Sequence, residues 1–503
     1  MTLYVLTLAP GLVWQDGGEY QVIAARLAWP PTVESAWCRP GGAVRVHPWY
    51  LVVARLVDAA GPWDMAYGAN LASALGAAVA VANVLLVVYL LTNRPWPAIV
   101  AAVAFAVGHT VWWFAVTAEV LSWCAAFVSV ECLCYLAWRR TGRSVWVLVL
   151  FFANGVALSN HLMAVFSLLV FGVCVVAAVV RRRVAWWTLP AGAACWLIGG
   201  TLYWIVLALE YARTGSAWET LVSATVGGYG SQAVNLSNLP ALLGKSVLYV
   251  GLNYPTPLVL AAGAGVWTLW RRPKPGGRAL VVLAAAYFLW AARYRVPDQY
   301  SFFVPFYVPA SVLIGAGTAW LLAGRARWWR WVALGLALVP VAVYAVLPTA
   351  AGRVGLATSP HDVPYRDEYR YFLQPWKGGE DGPRQFVSEV FAKLPQRAAL
   401  FADTTTGPPL VYVQEVESAR PDLLVLAQGA RPRTVAPEVL HRYWGEDAAV
   451  LSELMTEGRR VFVVSDGVDY MPRWMAGRTE RRPFGPVHEV LPKRAAPREE
   501  AEP

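Results

Sequence analysis

AYGANLASALGAAVAVANVLLVVYLL, residues 66–91, is the stretch on which the fold turns. It carries no charged side chain and exceeds the roughly 20 residues a helix needs to cross a hydrocarbon core of about 30 Å. Working outward, comparable runs recur at 2–14, 95–113, 118–138, 144–160, 162–180, 184–208, 247–270, 279–293, 303–323 and 331–349. The chain therefore reads as an α-helical polytopic membrane protein of about eleven transmembrane helices. The composition agrees: 57% of the 503 residues are hydrophobic and 15% charged, against about 25% charged in soluble domains. That excludes a single water-soluble enzyme, a disordered chain and a disulfide scaffold. The 26 Trp and 22 Tyr suit a chain with many membrane–water boundaries.

The first run is short. A helix over Met1–Trp14 reaches only about 20 Å, so it reads as a tilted or partial span, or as the remainder of one whose start lies upstream. It lacks the basic n-region and small-residue cleavage site of a signal peptide. The net charge of +10 sits largely in short loops, which points to topology rather than nucleic acid. Arg94, Arg139-Arg140-Thr141-Gly142-Arg143, Arg181-Arg182-Arg183, Arg271-Arg272-Pro273-Lys274 and Arg325-Ala326-Arg327 fall in alternate loops. The positive-inside rule makes those loops cytoplasmic, with the N-terminus inside and everything after residue 350 outside.

The expected organisation is a transmembrane domain over 1–350 with long outer loops at 15–65 and 209–246, a soluble extracytoplasmic α/β domain over 351–492, and a disordered tail at 493–503. In the soluble part Ala398–Ala402, Leu423–Leu426 and Val461–Val464 read as buried strands of a parallel sheet, with helices over 408–418 and 446–458. Of six Cys, Cys38 lies in a loop and Cys124, Cys132, Cys134, Cys174 and Cys195 lie in apolar segments. Cys132 and Cys134 diverge on a helix and make a poor metal pair.

The candidate chemistry gathers on outward segments. Trp14-Gln15-Asp16-Gly17-Gly18-Glu19 places two carboxylates on one face if the loop is helical; a solvated loop end is the equal alternative. His47-Pro48 precedes an amphipathic stretch, Trp49–Ala60, suited to an interface. Glu119 follows the aromatic run Trp112-Trp113-Phe114, and Asn160-His161 occupies an outer turn. Each alone reads more readily as a solvated or capped helix end than as a catalyst; together they point to a site at the outer surface. Arg293 and Arg295 offer planar forks for phosphate oxygens, or snorkel with Asp298 as an ion-pair partner. The Gly-rich Thr225–Gly230 has no Walker Lys and follows no strand, so flexibility over a cleft is its better reading.

The order of Trp14-Gln15-Asp16-Gly17-Gly18-Glu19, His47-Pro48, Gly68-Ala69-Asn70-Leu71-Ala72-Ser73, Ala118-Glu119-Val120, Leu158-Ser159-Asn160-His161 and Pro297-Asp298-Gln299-Tyr300 resembles a bacterial family of multi-pass proteins. That family also contains the eukaryotic protein O-mannosyltransferase acting on plexin-type IPT domains, and looks like a branch of the GT-C glycosyltransferases. The resemblance covers about residues 10–320 and continues weakly through Asp403, Leu410-Val411-Tyr412-Val413-Gln414 and Arg420-Pro421-Asp422. The chain departs from it at His47-Pro48-Trp49-Tyr50, where the family usually reads His-Pro-Pro-Gly, and in the insertion Pro30–Val46.

The resemblance implies a GT-C-like bundle in the plasma (inner) membrane that moves a sugar from a polyprenyl-phosphate donor to a hydroxyl of a protein or glycan acceptor. It implies Asp16 as the base, with Glu19 orienting or replacing it. Arg293 and Arg295 would hold phosphate, with Asp298 beside them. His47, Asn160 and His161 would contact donor or acceptor, and Glu119 would position the sugar or pair with a cation. No cofactor beyond the lipid-phosphate sugar is expected. Asp16 and Glu19 lack a D-x-D spacing, which leans away from a divalent metal without excluding one. A transporter or flippase, and a non-catalytic assembly protein, are the competing classes.

Overall fold

Helix Met65–Thr92 realises the deciding run. The Asp64 carboxylate accepts the Tyr67 N–H at 2.8 Å to cap its start, and Asn93 ends it in the left-handed region at φ 53°. The computed structural model describes residues 1–32, 46–227, 230, 238–271, 275–359 and 361–493. Cys38, most of the insertion Pro30–Val46, Gly228-Tyr229, Arg272-Pro273-Lys274 and the tail after Lys493 lie outside the described residues. The chain forms two compact units. The first comprises Met1–Leu8, Arg26–Leu356 and Tyr369–Gly378; the second comprises Ala9–Ala25, Ala357–Glu368 and Gly379–Pro503. Sequence placed one boundary at 350 and assigned residues 15–65 wholly to the membrane domain; residues 9–25 in fact fold with the second unit.

Among the described residues of the first unit, four helices are long and apolar enough to cross a membrane: Met65–Thr92, Leu121–Thr141, Gln299–Leu321 and Trp329–Val354. Three further pairs bend by 66°, 65° and 118°, at Pro95–Ala106 with His109–Ala115, Thr188–Gly199 with Thr201–Thr214, and Leu239–Asn253 with Pro257–Arg271. Counting each pair as one span gives seven, and Val145–Asn160 and Ala164–Val180 are shorter apolar helices. By length and composition alone, the described helices thus fall short of the expected count of about eleven without testing it further. The expected first span is the clearest loss, because its helix is only Thr2–Leu6.

The breaks have local causes. At Gly108 a Cβ would lie 2.6 Å from the Asn253 amide, so the chain opens there and Asn253 fills the gap. Its Oδ1 accepts the Thr110 N–H at 3.1 Å. The Tyr344 hydroxyl accepts the His109 N–H at 3.1 Å and donates to the Leu252 carbonyl at 2.8 Å. Backbone groups freed by bending in an apolar medium are thus paired again. Elsewhere helices touch backbone to backbone. A Cβ on Gly265 or Gly317 would run into the carbonyls of Leu313 and Ala261, which locks Ala261–Arg271 against Val304–Leu321.

A buried carboxyl also lies within the bundle. Glu131, on Leu121–Thr141, is fully buried, and its Oε1 accepts from Asn154 Nδ2 at 3.1 Å. Asn154 also donates to the Ala164 carbonyl at 2.9 Å and the Ser167 hydroxyl at 3.2 Å, and accepts from Trp196 Nε1 at 3.0 Å. Reading the run 118–138 as apolar passes over this carboxyl.

The second unit holds a five-stranded sheet of order β2-β1-β3-β5-β4, with β1 Ala399–Ala402, β2 Leu424–Ala427, β3 Val461–Val463, β4 Thr479–Phe484 and β5 Val487–Pro492. β1 pairs in parallel with β2 and β3, as the apolar runs predict. The antiparallel β4–β5 hairpin is an addition that sequence reading passed over. Its turn is Gly485-Pro486, with Gly485 at φ 62°. Pro486 at the second position excludes the I′ alternative and leaves II′. The core packs Phe401, Leu426, Val463, Leu454, Trp474 and Met475 under helices Pro437–Trp444 and Ala449–Thr456.

Candidate functional site

Within the first unit, four of the sequence-selected residues join in one network. His47 precedes helix Pro48–Ala59 in the left-handed region, at φ 49°. That conformation is uncommon outside Gly and costs about 1–3 kcal/mol. It directs the ring across to the turn after helix Val145–Asn160, where Nδ1 lies 2.7 Å from the Asn160 carbonyl oxygen. Asn160 Nδ2 donates to the Val120 carbonyl at 3.0 Å and to Cys124 Sγ at 3.2 Å. Glu119 Oε1 accepts the Val120 N–H at 2.8 Å. Ser73 then clamps Glu119 from Met65–Thr92: its hydroxyl accepts the Glu119 N–H at 2.8 Å and donates to the Glu119 carbonyl at 3.1 Å. The Tyr50 hydroxyl, next to Ser73 at 3.2 Å, donates to the Ala69 carbonyl at 2.8 Å. Motifs far apart in the chain, His47-Pro48, Gly68–Ser73, Glu119-Val120 and Asn160-His161, are therefore hydrogen-bonded into one cluster.

His161 stacks on His47, with ring centroids 5.2 Å apart and planes 19° apart. The Met163 N–H donates to its Nδ1 at 3.2 Å. Desolvation lowers its imidazole to about 4, so it is neutral near pH 7. Beyond it the edge-on ring of Phe302 lies at 6.1 Å, and Phe302 meets Tyr294 at 4.6 Å. This aromatic bridge leads to the arginine loop. The Arg293 guanidinium lies over Trp290 at 5.5 Å, and Trp290 stacks on Tyr294. Gln299 fixes the loop by donating to the Ala291 and Ala292 carbonyls at 2.9 Å. Asp298 accepts from the Ser301 hydroxyl at 3.2 Å, while Arg295 is exposed.

Sequence reasoning missed Lys377, which is 2% exposed. It donates to the carbonyls of Tyr371 at 2.7 Å and Gln374 at 2.6 Å, and sits 5.2 Å from the Trp113 ring centre. Trp113 in turn stacks flat on Tyr300 at 5.5 Å. The segment Tyr369–Gly378 looks soluble in sequence, yet it folds with the first unit. The Trp112-Trp113-Phe114 run was the one available signal.

Asp16 and Glu19 belong to the second unit, on helix Gln15–Ala25. The loop does turn helical, yet the two acids differ: Asp16 is exposed in the first turn and Glu19 is 4% exposed. Asp16 there complements the helix dipole. The Gln15 N–H donates to the Thr405 carbonyl at 3.2 Å, and Gly18 has no room for a Cβ between the Val13 carbonyl and Pro408. The helix is thereby fixed against Gly407–Glu415, at the carboxyl end of β1. At the same end Asp403 Oδ1 accepts the Thr405 and Thr406 N–H groups at 2.7 and 3.0 Å. Its Oδ2 lies 3.7 Å from His361 Nε2, and His361 stacks on Tyr470 at 3.6 Å. Arg420, by contrast, ties down chain ends. It donates to the carbonyls of Phe391, Leu394 and Pro395 at the end of helix Gly382–Lys393 and just beyond it, and pairs with Asp422 at 2.8 Å. Among the described residues, no group of three or more His, Cys, Asp or Glu side chains gathers in metal-ligand fashion.

Residues 40–185 match the family model described as the Protein O-mannosyl-transferase TMEM260 N-terminal domain. That stretch contains His47, Glu119, Asn160 and His161, and the match bears out the resemblance read from their order. The solved structures give a likeness over nearly the whole chain. ArnT from Cupriavidus metallidurans in the apo state is 16% identical, with a TM-score of 0.62 over 97% of this chain and 94% of that one. ArnT from the same organism bound to undecaprenyl phosphate is 17% identical, with a TM-score of 0.64 over 97% and 95%. At these identities the likeness establishes the fold. No curated protein sequence matches the chain.

Proposed function

We propose that this chain, a membrane glycosyltransferase of the GT-C type, moves a hexose, with mannose the first candidate, from a polyprenyl-phosphate carrier to an acceptor hydroxyl at the outer face of the plasma membrane. The observation that carries the reading is the cluster of His47, Ser73, Glu119 and Asn160, which ties together the motifs of the matched family domain through hydrogen bonds of 2.7–3.1 Å. A scaffold that only anchored a soluble domain would have no need of a strained histidine and a clamped glutamate on helix ends.

In the reaction the acceptor oxygen attacks the anomeric carbon. A new carbon–oxygen bond forms as the bond to the phosphate oxygen breaks, and polyprenyl phosphate leaves with the electron pair. The acceptor proton passes to a carboxylate, for which Asp16, exposed on its helix, is the candidate, with Glu19 behind it. Arg293 and Arg295 supply the positive charge that steadies the departing phosphate. Glu119, held by Ser73, orients the sugar. A single displacement inverts the anomeric centre and needs no covalent enzyme intermediate. The alternation of basic loops along the chain supports the outward orientation.

The test uses purified protein in detergent with undecaprenyl-phosphate mannose and a panel of peptide and glycan hydroxyl acceptors, read as release of undecaprenyl phosphate. Asp16→Asn is expected to lower the rate by 100-fold or more, about the contribution of a general base, with the circular dichroism unchanged. Full activity in that variant removes Asp16 from the mechanism, and absence of release by the wild-type chain with every donor tried sinks the reading.

A further inference from the structure

Lys377 follows a single short helix, Glu368–Leu373, and is 2% exposed. Burying a cationic head is costly unless its protons find acceptors. Here the side chain turns back on the helix end, where carbonyls lack partners within the helix, and donates to those of Tyr371 and Gln374. Its nitrogen also lies 5.2 Å from the ring centre of Trp113 and 5.0 Å from that of Tyr371. Two carbonyl oxygens and two aromatic faces together suit an ammonium. The backbone of the same segment has anchors that do not depend on that charge. The Lys377 N–H donates to the Thr7 carbonyl at 2.9 Å, and Trp376 packs on Trp112 at 5.3 Å.

Trp113 carries the contact onward. Its plane is 3° from that of Tyr300, with ring centres 5.5 Å apart. Tyr300 belongs to the turn Gln299–Phe303, which closes the arginine loop; the other end of that loop is Arg293, the last residue of helix Gly277–Arg293. Two residues beyond Tyr300, Phe302 meets His161. The turn is therefore gripped by two aromatic contacts, one leading to the cluster of His47 and Asn160 and the other to Lys377. Residues 294–298 lie in neither helix nor strand, so what holds the ends of the loop sets where Arg295 stands. We infer that Lys377 is a positioning residue for the arginine loop, fixing the turn Gln299–Phe303 through Trp113 and Tyr300 so that Arg293 and Arg295 meet a phosphate-bearing lipid. The ligand class rests on the glycosyltransferase reading; the path from Lys377 to the loop does not. Lys377, buried and bonded to two carbonyls, acts through Trp113 and not on the lipid.

The test uses the full chain in lipid nanodiscs, with undecaprenyl-phosphate mannose as donor and bare undecaprenyl phosphate as a binding probe. Lys377→Met keeps an apolar stem and removes the charge. It is expected to raise KM for the donor and Kd for the bare lipid by about tenfold, the loss of one good contact. KM for a serine-containing acceptor peptide should stay unchanged, and hydrogen exchange over residues 294–303 should accelerate. Lys377→Arg, which keeps a cation for the ring, is expected to bring donor KM back to within about threefold of the wild type. A smaller active fraction with unchanged donor KM and unchanged exchange means that Lys377 only stabilises its own segment, and overturns the inference.

Tyr300→Leu cuts the path at its far end and leaves the printed contacts of Lys377 in place, so it carries the test should Lys377→Met fail to fold. It is expected to raise donor KM by a similar factor. Because both changes act along one path, the double variant should lose no more than the worse single variant. Unchanged donor KM in Tyr300→Leu, or losses that multiply in the double variant, means that Lys377 works by another route and overturns the inference. Sugar transfer with a normal donor KM in every variant does the same and leaves the glycosyltransferase reading intact. If the wild-type chain transfers no sugar, that reading falls. Faster exchange over 294–303 and weaker binding of the bare lipid in Lys377→Met then still support the path, and their absence overturns it.

Discussion

The two units satisfy their polar side chains in different ways. In the first, buried polar groups bond mostly to backbone carbonyls and to neutral partners, as in Asn83 to Ser129 at 3.1 Å, Tyr254 to Ser311 at 2.8 Å and Asn154 to three separate acceptors, with buried Glu210 and exposed Arg213, 2.8 Å apart, as an ion pair. In the second, arginine and carboxylate pair repeatedly near the surface, as in Arg384–Glu417 at 2.7 Å, Arg442–Glu453 at 2.6 Å and Arg460–Glu489 at 2.8 Å. Water and salt screen such pairs and make each worth little. An apolar surround offers no such rescue, so there every polar group must be paired within the protein and charge is kept rare. The first unit should therefore be intolerant of single lost contacts and the second forgiving.

The sharpest way to break that contrast is at the backbone contact of Gly317 with Ala261. Gly317→Leu is expected to cost about 3 kcal/mol or more by overpacking, seen as loss of the monodisperse peak in detergent and a collapse of the melting temperature. Retention of both would mean that the helices part without penalty. A smaller effect is expected at Asn154. Asn154→Leu strips a donor from buried Glu131 and should cost about 2 kcal/mol, whereas Glu131→Gln, which keeps a neutral acceptor, should change stability by less than about 1 kcal/mol. Equal losses would show that Glu131 is held as a charge.

The smallest effect belongs to the second unit. The side-chain hydrogen bond from Arg420, aided by the Arg397 N–H, holds the Asp422 carboxyl well below its ordinary value. A carboxylate lowered in the folded state stabilises above its unfolded pKa, near 4. That contribution fades as pH falls from about 4 through the lower folded value. Since the pair is partly exposed, its worth is about 1 kcal/mol or less. Hydrogen exchange in β1–β3 should therefore accelerate modestly below about pH 4, and Asp422→Asn should remove that part of the acid sensitivity while accelerating exchange at pH 7. An unchanged acid profile in the variant would show that other groups set it.

Much of this was legible because it depends on local physics. Residues 66–91 read as a helix, and the runs Ala398–Ala402, Leu423–Leu426 and Val461–Val464 read as buried strands and fold as such within a residue or so. The motifs His47, Glu119, Asn160 and His161 were picked out as polar groups at the ends of apolar runs, and they converge. The break at Gly108 was not legible, because its cause is Asn253, over a hundred residues away. Glu131 passed unnoticed within a span, since one carboxyl barely dents an apolar average and its partner Asn154 lies on another helix. The β4–β5 hairpin escaped because its charged, alternating residues resemble a loop until a neighbouring strand pairs with them.

The sequence by itself determined that the chain belongs in a membrane, which segments are apolar enough to be helices, and which polar residues stand at their ends. These follow from transfer free energies that each segment carries alone. Only the tertiary structure decided that residues 9–25 fold with the later unit and residues 369–378 with the earlier one, and that His47 reaches the Asn160 carbonyl and stacks on His161. Those outcomes depend on which backbone donor or acceptor comes within about 3 Å, and hydrogen bonds between distant segments leave no trace in a hydropathy pattern.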